Sequence, residues 1–253
     1  MGNFTSNRFH FLDNLETFSS EDETSYFPFH FHEYYCVSLI TRGTELLENT
    51  EQQFYATAGT ISVTQANEVH RNKSFTENGY SYKTIYVNPE VLKFNNNNRP
   101  VSGLKRVIND TELFRKLTTL FSGGAPDPLC CMASFEKLVR YAETPVEMSR
   151  RVRSFSMINE IIEDYPNRPI NSHWLARQFC MSEFHFIRTF KNSYGVTPQV
   201  YIMLYRLGLA KRMITEKIPL NQIATRLGFT DCSHFTRNFK KYFGVAPSFY
   251  LVT

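Results

Sequence analysis

Ile223-Ala224-Thr225-Arg226-Leu227-Gly228-Phe229-Thr230-Asp231-Cys232-Ser233-His234-Phe235-Thr236-Arg237-Asn238-Phe239-Lys240 decides the fold of the C-terminal half. Ile223, Ala224 and Leu227 recur at helical spacing, and Gly228 stops that helix by admitting a left-handed residue. Asp231 sits where its carboxylate caps the next helix. Phe235, Phe239 and Phe243 then mark a buried stripe along that helix. The segment therefore reads as helix, tight turn, helix.

The same pattern occurs once before. Asn171 caps a helix with Leu175, Ala176 and Phe179, and Ser182 caps a second with Phe186, Phe190 and Tyr194 on its buried face. His185 and His234 are 49 residues apart, as are Tyr201 and Tyr250. Ala176 and Ala224 are 48 apart, so the second copy has one more residue in its turn. Two copies are too few for a solenoid and suit a paired device that touches its partner twice. Thr197-Pro198 opens the helix between the copies as N-cap and first-turn proline. Running to about Thr215, it spans about 28 Å, close to the roughly 34 Å between successive major-groove faces of B-DNA.

The outer face of each second helix carries the chemistry. In the first copy it offers Glu183, Phe184, Ile187 and Arg188, and in the second Cys232, Ser233, Thr236 and Arg237. Residues early in such a helix meet base edges. Arg188 and Arg237 suit bidentate pairing with guanine, and Ile187 suits a thymine methyl. Lys191, Lys240 and Lys241 lie further along and suit phosphates.

Charge separates the chain in the same way. Residues 1–95 hold 6 Lys+Arg against 12 Asp+Glu, whereas residues 150–253 hold 15 against 6, within a net charge of +4. An acidic front and basic back imply two domains with different partners, the basic one meeting nucleic acid. Five cysteines (Cys36, Cys130, Cys131, Cys180, Cys232) form no CxxC, and the N-terminal residues show no apolar leader; both fit a cytoplasmic protein. No run of 18 apolar residues suggests a membrane span.

From about Tyr26 to Val87 the chain alternates in short runs with glycine-bearing turns at Gly43, Gly59 and Gly79, which predicts a β-sandwich or small barrel. Asn88-Pro89 stops the last strand, and 95–100 reads as a loop. Asp110 caps a predicted helix over 111–121, and a second runs from about Pro128 to Ala142; both attach to the N-terminal domain. Their apolar stripe serves either as intradomain core or as a homodimer face. Glu143-Thr144-Pro145 breaks the pattern as a linker, giving domains at 1–145 and 146–253.

Residues 171–250, with matching His-Phe-x-Arg-x-Phe-Lys cores and Gly-Val-x-Pro sequels, resemble the AraC/XylS family of bacterial transcription regulators. Phe29-His30-Phe31-His32-Glu33-Tyr34-Tyr35, with Gly43, Gly59 and His70, resembles that family's cupin-like sensor domain. The resemblance implies an α+β two-domain protein: an N-terminal cupin-like β-barrel with trailing helices, and a C-terminal all-α domain with two helix–turn–helix motifs, its first helix near Val152–Tyr165. It also implies double-stranded DNA, RNA polymerase and a small-molecule effector as partners, and activation as the outcome. His30, His32 and Tyr34 would face the barrel interior with His70, Tyr82 and Tyr86 as effector-binding residues; a filled core is the other reading. The cupin metal pattern is broken, with Cys36 in place of its glutamate and Ala66-Asn67-Glu68 in place of Pro-Gly. We therefore expect no metal, no cofactor and no catalysis. The rivals are control by a protein partner, a cupin metalloenzyme fused to a DNA reader, and a cysteine-alkylating repair protein. Two departures matter: Cys180 replaces a customary turn glycine, and Trp174 either packs locally or serves a polymerase or interdomain contact.

Overall fold

Strand β3 (Tyr35–Arg42) sorts its side chains by the pleat, with Tyr35, Val37 and Leu39 on one face and Cys36, Ser38 and Ile40 on the other. It pairs antiparallel with β8 (Tyr80–Val87) and β6 (Ile61–Thr64), in registers Val37↔Ile85 and Val37↔Val63. One face is therefore apolar, formed by Val37, Leu39, Ile61, Val63, Ile85 and Val87. The other carries Cys36, Ser38, Ser62, Thr64, Tyr82, Thr84 and Tyr86. Strands β1 (Asn3–Phe9), β2 (Leu15–Glu23) and β9 (Val107–Ile108) complete a six-stranded sheet in the order β1-β2-β8-β3-β6-β9. Strands β4 (Thr44–Asn49), β5 (Gln53–Thr57) and β7 (His70–Ser74) form a second sheet, ordered β5-β4-β7.

This computed structural model describes residues 3–9, 15–121, 127–143, 155 and 157–251. It divides into two compact units, Met1–Tyr26 with Glu33–Val146 and Phe27–His32 with Glu147–Thr253. Thr144 and Pro145 of the expected linker, and residues 152–154 and 156 of the expected first helix, lie outside the described residues.

The apolar face of the larger sheet is covered by helices α1 (Pro89–Asn95), α2 (Thr111–Thr118) and α3 (Pro128–Val139). Leu92, Leu113, Leu117, Phe135 and Leu138 join Val37, Leu39, Ile61 and Ile85 in one core. The stripe of 111–121 is thus intradomain core; its last residues, Thr119–Phe121, tighten into a 3-10 turn. Two features differ from the sequence reading. Strands β1 and β2 precede the expected start, and Asn88-Pro89 opens α1, with Asn88 Oδ1 accepting from the Glu90 backbone N–H at 3.0 Å.

Asp110 Oδ1 accepts from the Leu113 backbone N–H at 2.9 Å, which caps α2. The same carboxylate meets Lys137 Nζ at 2.9 Å and accepts a hydrogen bond from the Tyr141 hydroxyl at 2.8 Å, tying α2 to α3. The cap bond, then Lys137 and Tyr141, outweigh burial and hold this carboxyl down at about 2. A depressed folded value adds stability above the ordinary carboxylate range, lost as pH falls through about 2. We expect Asp110→Ala to cost about 1–2 kcal/mol at neutral pH, and to flatten the fall in urea midpoint between about pH 4 and 2. Circular dichroism checks both; an unchanged midpoint refutes the capping role.

In the second unit, α4 (Met157–Asp164), α5 (Ser172–Gln178), α6 (Glu183–Tyr194), α7 (Pro198–Thr215), α8 (Leu220–Arg226) and α9 (Cys232–Phe243) carry the repeat. Phe155, just before α4, packs against Phe179, Phe186, Phe190 and Tyr194 with ring centroids 5.0–6.0 Å away. The 18 residues of α7 give it a length of about 27 Å. Its Tyr201 and Tyr205 hydroxyls donate to Asn159 and Glu163 of α4. Phe31 stacks on Tyr201 at 4.8 Å, and the ring of Phe27 lies against Gly244. Phe27–His32 therefore belongs with the helical unit, where the sequence reading placed it in the barrel. Phe31 buries there against the Tyr201 ring while Phe27 and Phe29 are half-buried, and the segment contributes only an isolated bridge residue at His30.

Candidate functional site

Each repeat is held in shape by its caps. Asn171 Oδ1 accepts from the Trp174 N–H at 2.8 Å, Ser182 Oγ from the His185 N–H at 3.4 Å, and Asp231 Oδ1 from the His234 N–H at 2.7 Å. Gly195 and Gly244 end α6 and α9 in the left-handed region, at φ 74° and 77°. The two turns match in conformation as well: Gly228 has φ +70° and Cys180 has φ +52°. Glycine takes that conformation freely, while a Cβ makes it costly. Replacing Cys180 with glycine should therefore stabilise the chain by about 1 kcal/mol, read as a higher urea midpoint; a lower midpoint would show the turn unstrained.

The second helix of each copy buries one side and exposes the other. Phe186 and Phe190 of α6 are buried, as are Phe235, Phe239 and Tyr242 of α9. Tyr242 takes the deep position that the sequence reading gave to Phe243, which is half-buried. On the outer side of α6, Glu183, Phe184, Arg188 and Lys191 are exposed, and Ile187 is half-buried. Phe184 is 77% exposed, an unusual placement for a large apolar ring. On α9, Ser233, Arg237, Lys240 and Lys241 are exposed, and Cys232 and Thr236 are half-buried. The Glu183 carboxylate lies 3.6 Å from His173 of α5, joining the two helices of the first copy at their outer surface. Trp174 is half-buried beneath the Arg168 guanidinium, 4.9 Å from the ring centre, so it packs within its own unit.

The N-terminal residues expected to meet an effector divide between the two units. Tyr34, His70, Tyr82 and Tyr86 belong to the sheet unit, and His30 and His32 to the helical one. The His30 and His32 rings lie 6.0 Å apart, and His30 Nδ1 donates to the Pro28 carbonyl at 2.9 Å. Burial lowers the His30 pKa, and that hydrogen bond partly offsets it. His70 opens β7, fully enclosed, and donates from Nδ1 to the Glu68 carbonyl at 2.8 Å.

Tyr82 and Tyr86 lie on the polar face of the larger sheet, opposite Ile40 and Cys36. The registers add Glu16, Phe18, Ser20 and Glu23 of β2 to that face. Glu45 of β4 reaches it from the smaller sheet: its Oε1 accepts from Asn72 Nδ2 of β7 at 2.7 Å, and the Ser62 and Tyr80 hydroxyls turn to the same carboxyl. Tyr80 stacks on Tyr82 at 5.0 Å, and Ser38 and Thr84 share a hydrogen bond of 2.7 Å. The sheet face turned away from the helices thus mixes hydroxyls, phenols and carboxylates with Phe18 and Ile40, the latter packed with Ala56 and Tyr80, while the larger apolar core lies on the helix-covered side. Burial pushes the Tyr80 and Tyr82 phenols well up, helped by the acidic groups beside them. Sequence reading passed over Ser20, Glu23, Glu45 and Tyr80, although Glu23 and Glu45 stand out as acids within strand-like runs.

Two N-capped helix–turn–helix second helices joined by a long third in one unit, and a two-sheet domain as the other, fit a DNA-binding transcription regulator with a ligand-binding domain. Residues 14–123 match the family described as an AraC-like ligand binding domain, and residues 175–252 match a helix-turn-helix domain. The chain is an AraC-family transcription regulator. It is 23% identical over 238 residues to the uncharacterized HTH-type transcriptional regulator YbfI of Bacillus subtilis, covering 87% of this chain and 85% of that one. It is 30% identical over 116 residues to the probable transcriptional regulator LumQ of Photobacterium leiognathi, covering 46% of this chain and 45% of LumQ. Among solved structures, ToxT of Vibrio cholerae O395 has the same fold, with a TM-score of 0.62 and 16% identity over 98% of this chain and 97% of ToxT. A ToxT structure with a bound unsaturated fatty acid superposes with a TM-score of 0.60 and 18% identity, over 99% of this chain and 96% of that one. No helix among the described residues is long and apolar enough to cross a membrane.

Proposed function

We propose that the chain binds one asymmetric duplex site through both helix–turn–helix motifs, and that a small molecule held between the sheets of the N-terminal unit alters that binding. Glu183, Phe184, Ile187 and Arg188 read one half of the site; Cys232, Ser233, Thr236 and Arg237 read the other. Lys191, Lys240 and Lys241 hold phosphates. One observation carries this reading: Arg188 and Arg237 occupy equivalent exposed places on equivalent helices, whereas the residues just before them differ. Two heads of one build and unlike faces read unlike bases. The protein acts in the cytoplasm as an activator that recruits RNA polymerase, as a homodimer where sites are paired, and performs no catalysis.

Selection of bound duplexes from a random pool by the full-length chain tests this. The expected product is a non-palindromic site whose two conserved blocks lie about one helical turn apart. A palindrome, a single block or no enrichment refutes it.

A further inference from the structure

Two acids of the sheet unit, Glu23 and Glu45, differ from its Glu48 and Glu68. Glu48 is met by Arg71 Nε at 2.7 Å and Lys73 Nζ at 3.5 Å, and Glu68 by the Arg106 guanidinium. Glu23 and Glu45, 0% and 2% exposed, make no ion pair among the described residues. Glu23 is served by the Ser20 hydroxyl at 3.2 Å and the Ser25 N–H at 2.7 Å. Glu45 Oε1 accepts from Asn72, whereas Oε2 is enclosed with no hydrogen-bond partner within reach among the described residues. Both carboxyls act electrostatically on Tyr80 and Tyr82, whose rings stack on one face of β8.

A buried acceptor without a donor costs free energy, and a buried carboxylate without a cation costs more. Burial pushes the Glu45 carboxyl up, in keeping with a group that lacks its counter-charge. Stacked phenol rings add an electron-rich face, which attracts ammonium groups. An anionic ligand would meet two acids here, and a neutral alcohol would leave both acids without a counter-charge.

We infer that the ligand of this unit is a small organic cation, a protonated amine whose N–H donates to Glu45 Oε2 while its charge is shared with Glu23 and the Tyr80–Tyr82 pair. This rests on the reading of the N-terminal unit as an effector domain, and it specifies the chemistry of that effector.

Full-length protein, with and without its selected DNA, is titrated with putrescine, agmatine and phenethylamine. The matched neutral and anionic probes are 1,4-butanediol, 2-phenylethanol and hexanoate. Calorimetric binding and melting shifts are read at about 1 mM probe. At least one amine should raise the melting temperature by a few degrees, roughly what a ligand well above its Kd provides. Glu45→Gln should weaken that amine by about tenfold or more. Amine binding that survives Glu45→Gln overturns the inference. So does a shift produced by a diol or hexanoate and by no amine, or a panel in which no amine binds. Should Glu45→Gln fail to fold, the ranking of probes on the native protein decides alone. Failure here leaves the DNA-reading proposal standing, because that is judged by the selected site.

Discussion

Phe155→Ala lowers the stability of the helical unit by about 3–5 kcal/mol, the range for emptying a large aromatic site. Phe155 is 2% exposed and touches four rings, from Phe179 in the first turn to Tyr194 at the end of α6. Phe190 and Tyr194 in turn pack on Tyr201 of α7, so the cavity opens at the root of the first reading head. A typical domain is stable by about 5–15 kcal/mol, so the loss is a large share of the total. Trp174 is the only tryptophan of the chain and lies in this unit, so urea unfolding followed by its fluorescence isolates the transition. A loss below about 1 kcal/mol would mean that the neighbouring rings collapse into the space and that Phe155 is no keystone.

Arg237→Ala produces the second large effect, on recognition. Arg237 is exposed on α9, and among the described residues it makes no ion pair. In the proposed reading this guanidinium pairs with guanine O6 and N7 through two parallel hydrogen bonds, worth about 1–3 kcal/mol against the wrong base. The variant should therefore lose affinity for the selected site by about 5- to 150-fold and tolerate all bases at one or two positions. Lys241→Ala is the control, lowering affinity for all duplexes alike and reducing the salt slope by about one. Anisotropy titrations at several salt concentrations measure both. Equal losses on specific and random DNA for the two variants would refute the division of roles.

The reader was legible because its signals are local. Caps at Asn171, Ser182 and Asp231 act within four residues, and aromatic stripes at Phe186/Phe190 and Phe235/Phe239 follow the helical period, so each can be read from a short window. Strand β2 shows the opposite case. Thr17, Ser20 and Glu23 are buried although polar, so the strand lacks the apolar alternation that betrays β structure. Its role depends on a partner about sixty residues away, on β8, and no short window in the sequence contains both. Glu45 was missed for the same reason: only the meeting of the two sheets shows that its carboxyl is enclosed. Phe155 precedes its helix by two residues, and nothing nearby announces four ring partners. Cys180 was different again. The repeat alignment marked it as a departure from glycine, and its left-handed backbone gives that departure a physical cost.

Phe31 on Tyr201 bears on how such proteins can be recombined. Exchanging reading domains between relatives by a single crossover in the linker assumes that each half of the gene encodes one half of the protein. Here the gene order and the compact units disagree: the six residues Phe27–His32 are encoded with the sheets and packed with the helices. A hybrid joined only at the linker would inherit a foreign ring opposite Tyr201. Donor and recipient therefore need matching residues at two places in the sequence, and a productive chimera carries three segments.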